Sequence, residues 1–323
     1  SLNKVGQALA TGNTVILKAA PDTPWNATRL GRLVAEKTDI PPGVFNVIAS
    51  SDNLVGEELV IDPRVDAISF TGSTAVGKRI MQKGAESVKR IFLELGGKSA
   101  NIYLEDADFE TQLPTTTFAC LHAGQGCSLP TRVLLPRSRY DEGIELIKAA
   151  WEAVPYGDPL DPQNICGPLI SAKQRERVLG YLDKGIAEGA TLVTGGGRPE
   201  HLSRGYYVQP TVFGDVNNEM TIAREEIFGP VVVVIPFDDD DDAVRIANDS
   251  IYGLGGAVSA ASDERALAVA RRLRTGTVQV NGGNWYGADS PFGGYKASGV
   301  GRQNGLEGFE QYTETKSVAV EIR

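Results

Sequence analysis

Two side chains in this sequence have the chemistry of a nucleophile and of a general base. Cys127 lies in AGQGC, where small neighbours allow close backbone approach and leave the thiol accessible. Glu94 lies in the apolar stretch IFLEL, and burial there raises a carboxyl pKa toward the range that a general base needs. Each residue also has an ordinary alternative. A free cysteine is more often apolar core, and Glu94 faces solvent if its strand alternates.

A third stretch predicts a phosphate site. FTGSTAVGK follows the apolar run VDAIS, and the spacing from Gly72 to Lys78 is that of a phosphate-binding loop. A nucleotide hydrolase needs Ser or Thr after the lysine to hold magnesium, but Arg79 occupies that position. What remains is a strand, a glycine turn and a helix start, whose free N–H groups favour an anion. The stretch therefore predicts phosphate binding without magnesium-dependent hydrolysis.

These stretches lie in a chain whose pattern is typical of α/β proteins. Residues 1–98 alternate strand-like and helix-like segments with short connections, which predicts a parallel sheet covered by helices. Ligands of such sheets bind beyond the carboxyl ends of the strands, where both FTGSTAVG and LELGGK fall. The following segment repeats the α/β pattern and is long enough for a second core. The tail TETKSVAVEIR alternates like a strand, so we expect a distant partner for it, such as another subunit.

Composition and charge argue against several classes of function. The 323 residues are 41% hydrophobic and 23% charged, and no apolar run approaches the roughly 20 residues of a membrane span. A net charge of −9 works against nucleic-acid binding. The three cysteines (Cys120, Cys127 and Cys166) are too few for a disulfide framework, and with two histidines they offer no zinc spacing. We therefore expect no metal, no membrane insertion, no nucleic-acid partner and a reducing, cytoplasmic setting.

In this order, the motifs resemble those of the aldehyde dehydrogenase superfamily. The resemblance runs through ALATGNTVILK, FTGSTAVG, LELGGKSA, AGQGC, EEIFGP, NDSIYGL and SPFGGYKASGVGR. It implies an α/β fold with a Rossmann-like parallel-sheet cofactor domain, incomplete at its N-terminus, a second α/β catalytic domain and a C-terminal oligomerisation strand. The implied boundaries are 1–98 for the cofactor domain, 99–297 for the catalytic domain, 298–312 for a return to the cofactor domain and 313–323 for the strand.

The resemblance also implies roles for individual residues. Cys127 matches the nucleophile and Glu94 the general base of an enzyme that oxidises an aldehyde to an acid through a thiohemiacetal and a thioester. The implied cofactor is NAD or NADP, and the positions that match its binding residues are Lys18, Phe70, Gly72, Ser73, Gly77, Leu95, Glu226 and Phe228. Trp285, Tyr286 and Phe292 match positions that line the substrate entry. A homodimer or homotetramer is the implied assembly.

Three features depart from the family pattern. The chain opens inside a helix pattern at Ser1, so we expect an N-terminal part to be missing, with the Asn that completes the oxyanion hole. Pro21 replaces the glutamate that favours NAD, which leaves NADP open, although Asp22 is adjacent. Pro130 follows the cysteine closely but leaves the Cys127 N–H intact. A catalytically silent or crippled binding protein on the same scaffold is therefore the alternative hypothesis.

Overall fold

The computed structural model of the chain describes residues 1–284 and 286–322. Its strands are β1 (Val15–Lys18), β2 (Phe45–Ile48), β3 (Ala67–Thr71), β4 (Arg90–Glu94), β5 (Ser99–Tyr103), β6 (Pro130–Pro136), β7 (Thr191–Thr194), β8 (Thr211–Gly214), β9 (Val231–Phe237), β10 (Gly255–Ser259), β11 (Thr277–Val280) and β12 (Gly299–Val300). Its α-helices are α1 (Leu2–Ala10), α2 (Pro24–Lys37), α3 (Leu54–Ile61), α4 (Thr74–Gly84), α5 (Phe109–Gln112), α6 (Tyr140–Glu152), α7 (Ala172–Ala187), α8 (Thr221–Arg224), α9 (Asp240–Asn248), α10 (Asp263–Ala270) and α11 (Gly305–Glu310). Within the described ranges, no helix has both the length and the apolarity that crossing a bilayer requires.

The chain divides into two compact units, and both are discontinuous in sequence. Unit 1 comprises Ser1–Glu94, Tyr286–Gly293 and Val300–Arg323. Unit 2 comprises Leu95–Trp285 and Gly294–Gly299.

Unit 1 contains the predicted alternation of parallel strands and helices. β1 pairs with β2 in parallel, and β3 pairs with β4 in parallel. α4 begins after Ser73, whose hydroxyl accepts the N–H of Val76 and so caps the helix. The single sheet expected for the first hundred residues does not form, because the described strands make two sheets, β1–β2 and β12–β4–β3. Periodicity predicts that a segment is a strand, but it does not specify which strands are neighbours.

Unit 2 contains a seven-stranded sheet and the main hydrophobic core. The strand order is β11–β10–β5–β6–β9–β8–β7, in which β7 and β8 are antiparallel and the other pairs are parallel. β9 begins with the run VVVVI, and all five of those residues are buried. Such an unbroken apolar run is typical of a strand in a parallel sheet that is covered on both faces. The predicted second α/β core is therefore confirmed.

The tail predicted as a strand is not one within the described part of this chain. Residues 313–322 carry no strand assignment, and Val318, Val320 and Ile322 are exposed. A strand forms only where a neighbour completes its ladder of hydrogen bonds. The oligomerisation strand therefore stays a prediction that concerns a second chain.

Candidate active site

Glu94 ends β4 in a position from which water is largely excluded. The residue is 5% exposed, and its Oε2 atom has no hydrogen-bond partner among the described residues. Burial raises the pKa of Glu94 to about 7, against the opposing effect of the positive charges of Lys4 and Arg302. The alternative in which Glu94 faces solvent is wrong, because Leu93 and Glu94 are both buried. A carboxyl group with this pKa exchanges its proton near neutral pH.

The glycine turn at Gly72 lies at the same sheet edge as Glu94. Thr71 is opposite Glu94 in the β3–β4 ladder, and the Gly72 N–H donates to the Glu94 carbonyl over 3.1 Å. The ring of Phe70 lies against Gly72, where an added Cβ would come within 2.4 Å of it. The prediction that both motifs lie at the carboxyl ends of strands is therefore confirmed, and these two strands are adjacent.

The first turn of α4 has the features of an anion site. It contains no acidic residue, and Gly77 is buried on this helix. The positive end of the helix dipole at this turn favours an anion over a cation. Arg79 binds Glu57 of α3 with both ends of its guanidinium, over 2.6 and 2.8 Å. An ion pair thus occupies the position where a hydrolase has its magnesium-binding hydroxyl.

Lys18 is the last residue of β1 and is half-buried.

Unit 2 brings Cys127 and Glu226 to one pair of glycines. The Gly97 N–H donates to Glu226 Oε1 over 3.0 Å. A Cβ on Gly97 would come within 2.5 Å of the Cys127 carbonyl oxygen, and one on Gly96 within 2.3 Å of Glu226 Oε2. Any larger residue in this pair would displace the nucleophile segment or the carboxylate. Cys127 itself is half-buried, and β6 begins three residues later at Pro130, a position where proline costs no ladder bond.

The segment that leads to Cys127 is fixed by tight backbone contacts. His122, Ala123 and Gly124 have φ angles of 54°, 54° and 72°, in the left-handed region. A Cβ on Gly124 would lie 2.0 Å from the carbonyl of Gly229, so only glycine fits there. The Gln125 side chain accepts the N–H of Ile170 and donates to the His122 carbonyl. Gly124 of AGQGC therefore allows a close approach between two loops.

α7 positions the loop that carries Glu226 and Phe228. Gln174 donates to the carbonyls of Ile227 and Phe228 over 3.2 and 2.8 Å. Arg177 donates to the Glu226 carbonyl over 2.8 Å. These bonds hold Phe228 at a φ of 61°, which a bulky residue rarely adopts. Burial raises the pKa of Glu226, and the Gly97 N–H partly offsets this effect.

The remaining predicted residues lie as follows. Leu95 is buried, and its N–H donates to the Ser298 carbonyl over 2.9 Å. Tyr286 is 54% exposed, and its hydroxyl accepts the side-chain amide of Asn3. Phe292 is buried, and its backbone exchanges two hydrogen bonds with Gln303, each 2.7 Å long. Trp285 lies outside the described residues.

A family model identifies this arrangement of motifs. The model described as "Aldehyde dehydrogenase family" matches residues 1–318. The chain belongs to the aldehyde dehydrogenase family. The resemblance predicted from seven motifs is therefore confirmed over almost the whole chain.

Curated and structural relatives agree with this assignment. The 3-succinoylsemialdehyde-pyridine dehydrogenase of a Pseudomonas species is 47% identical over 317 residues, which cover 98% of this chain and 66% of that protein. An aldehyde dehydrogenase of Mycobacterium tuberculosis, solved with NAD+, superimposes with a TM-score of 0.96 at 48% identity and covers 99% of this chain and 66% of its own. A variant of aldehyde dehydrogenase C from Pseudomonas syringae, solved with NAD+ and octanal, gives 0.94 at 44% identity, over 97% of this chain and 65% of its own. The chain thus spans about two thirds of the length of the relatives it matches.

The sequence motifs did not predict a buried arginine that connects several elements of this chain. Arg132 is 2% exposed and donates to the carbonyls of Lys98, Ile246 and Ala247 and to Asn218 Oδ1. It therefore joins the strand after Cys127 to the residue after Gly97 and to the last turn of α9. The only sequence feature that indicated this role is the presence of a charged residue in the apolar strand TRVLLP. Such a residue needs internal partners, but the strand does not show which ones.

Proposed function

We propose that this chain carries the nucleophile and the general base of an NAD(P)-dependent aldehyde dehydrogenase that releases a free acid. The observation that carries the proposal is the buried Glu94 carboxyl, whose pKa of about 7 suits a base that must take a proton from water near neutral pH. Because the chain spans 66% of its relatives' length, the activity is proposed for the whole protein. The substrate class is an aldehyde, in agreement with the octanal complex of the relative from Pseudomonas syringae.

The residues at both glycine motifs fit a dinucleotide. The α4 N-terminus, with Gly72, Ser73 and Gly77, suits the pyrophosphate, and Lys18 and Phe70 are assigned to the adenosine half. A carboxylate at Glu226, with Leu95 and Phe228, suits a ribose and the ring attached to it. Solved relatives hold NAD+, whereas Pro21 beside the exposed Asp22 leaves room for NADP. A bound nicotinamide ring would supply the hydride acceptor for this oxidation.

The chain's own residues carry the rest of the proposed chemistry. The Cys127 thiolate adds to the aldehyde carbon, and the oxygen of the resulting thiohemiacetal takes the negative charge. Backbone N–H groups can stabilise this oxyanion. Once the carbon is oxidised, the acyl group remains on Cys127 as a thioester. Glu94 then takes a proton from a water that attacks the thioester, which releases the acid and restores the thiolate.

The proposal predicts different failures for the two residues. In the whole protein, Cys127→Ala should form no NAD(P)H from an aldehyde. Glu94→Gln should still form about one equivalent in a rapid burst and then stop, because the thioester forms but is not hydrolysed. Stopped-flow absorbance measures the burst, and intact mass detects the acyl group on Cys127. Absence of aldehyde-dependent NAD(P)H in the unmodified protein would refute the proposal and favour a silent binding protein.

A cytoplasmic location is a further part of the proposal.

A further inference from the structure

Two of the sequence motifs, NDSIYGL and KASG, have no role in the proposed reaction, yet they are bound to each other in unit 2. Lys296 donates to the Asn248 carbonyl over 2.8 Å, and the Ala297 N–H donates to the Ile251 carbonyl over 3.0 Å. These bonds fix the short 3₁₀ turn that ends at Ser298. The position of the Ser298 side chain is therefore set by contacts on both sides of the turn.

The Ser298 hydroxyl is buried and has a hydrogen-bond partner on each side. Ser298 is 0% exposed. Its Oγ atom accepts the Gly253 N–H over 2.9 Å and donates to the Gly96 carbonyl over 2.7 Å. A hydroxyl that accepts one bond and donates another is held in one orientation. Packing adds to this restraint, because a Cβ on Gly294 would lie only 2.5 Å from the Ser298 Cβ.

The Gly96 carbonyl that Ser298 binds belongs to the same peptide group as the Gly97 N–H. This trans peptide group is planar, so its C=O and N–H point in opposite directions, and fixing one also fixes the other. The Gly97 N–H donates to Glu226 Oε1 over 3.0 Å. Ser298 and the Glu226 carboxylate are therefore bonded to the two ends of one peptide group.

A peptide group between two glycines depends on such bonds for its orientation. Glycine allows more backbone conformations than any other residue, so the group between Gly96 and Gly97 turns more easily than others. Larger residues are not a solution here, because a Cβ on Gly96 would lie 2.3 Å from Glu226 Oε2. The Ser298 hydroxyl thus supplies the restraint that a side chain at position 96 cannot supply.

We propose that Ser298 is a positioning residue for the Glu226 carboxylate and, through it, for the ribose in the nicotinamide half of the dinucleotide. This inference rests on the proposed function, which assigns that ribose to Glu226. A carboxylate accepts hydrogen bonds from ribose hydroxyls, and a displaced carboxylate accepts them less well. Ser298 acts through the peptide group of Gly96 and Gly97 rather than by contact with the dinucleotide.

Calorimetric titration of the whole protein with NAD+, in the absence of aldehyde, tests this role. We expect Ser298→Ala to raise the dissociation constant by about threefold to tenfold and to leave KM for the aldehyde unchanged. Glu226→Ala should also weaken binding. Adding Ser298→Ala to Glu226→Ala should then have no further effect, because the group through which Ser298 acts is already absent. Ser203→Ala, at an exposed position of unit 2, is the matched control and should bind NAD+ like the unmodified protein.

The outcomes separate this inference from the proposed function. An effect of Ser298→Ala that persists in full beside Glu226→Ala would overturn the positioning role, and so would an unchanged dissociation constant in Ser298→Ala alone. If Ser298→Ala folds poorly, Ser298→Cys decides by the same comparison, since a thiol is a weaker donor and acceptor than a hydroxyl. Failure of the proposed function gives a different result, because the unmodified whole protein would then bind neither NAD+ nor NADP+, and the positioning role would fail with it.

Discussion

At the scale of the residue, the pKa of Glu94 sets the pH range in which the proposed base works. Burial raises this pKa to about 7, so the carboxylate forms as the pH rises through that value. We expect kcat for aldehyde oxidation to rise with pH around 7, and Glu94→Gln to lower kcat by about 10²–10⁴-fold and to remove this rise. Steady-state rates across this pH range measure both effects. A profile with no rise near neutral pH would contradict the assignment of Glu94 as the base.

Lys98 is a second buried ionisable residue, and its pKa predicts a stability effect. Its Nζ atom has no hydrogen-bond partner within the described part of the chain, and burial, with the charge of Arg132, lowers its pKa from 10.5 to about 7. At pH values between about 7 and 10.5, Lys98 is protonated in the unfolded chain but not in the folded chain. The contribution of Lys98 to the free energy of unfolding therefore rises with pH in that window and is least favourable below it.

Replacing Lys98 by an apolar side chain tests this linkage. We expect Lys98→Met to be more stable than the unmodified protein at pH 7, with an advantage that narrows as the pH rises toward 10.5. Urea unfolding at both ends of this range measures the difference. Lys78→Met, at an exposed position, is the matched control. A difference that does not change with pH would show that Lys98 is not a neutral amine in the folded protein.

At the scale of the element, the sequence predicted helices and strands, but it did not predict the contacts between segments that are distant in sequence. The succession of strand-like and helix-like segments predicted β3, α4 and β4 correctly, because the hydrophobic pattern of each element lies within its own residues. The glycines at 96–97 and 124 were recognisable as motif positions, but the carbonyls and carboxylates they approach lie far away in sequence. Gln174 had no signal at all, since a polar residue on a long helix resembles any solvated position. Long-range hydrogen bonds of this kind require the fold.

The hydrogen bonds of Gln174 predict a defect in cofactor binding. Gln174→Ala leaves the carbonyls of Ile227 and Phe228 without their donor, and Phe228 loses part of what holds it at a φ of 61°. We expect a several-fold rise in KM for the dinucleotide, with a loss of about 1–3 kcal/mol in stability. Lys173→Ala, on an exposed position of the same helix, is the control. An unchanged KM would mean that α7 does not position the loop.

At the scale of the whole molecule, the sequence predicted which segments are strands, but it did not predict which strands pair with each other. The sequence indicates α/β organisation throughout, yet both units are assembled from separated pieces, such as residues 286–293 and 300–322 in unit 1. The sequence of a short segment does not indicate which unit it belongs to, because packing over the whole chain determines the residues that it contacts. The order of the family motifs along the chain is itself a long-range signal, and it predicted the family that the family model confirms.

The exposed apolar residues of the tail predict how the whole protein assembles. Val318, Val320 and Ile322 occupy every second position and are 77%, 82% and 99% exposed, so they would form one apolar face if the tail became a strand. An isolated strand is not stable, and pairing with another copy would complete its hydrogen bonds and cover that face. We expect the whole protein to be a homodimer or homotetramer, and Val320→Asp to lower its mass in light scattering after gel filtration. Glu321→Asp, at a neighbouring position that faces the other way, is the control. If Val320→Asp keeps the full assembly, the tail is not the oligomerisation strand, because a buried unpaired carboxylate at that position would not be tolerated between strands.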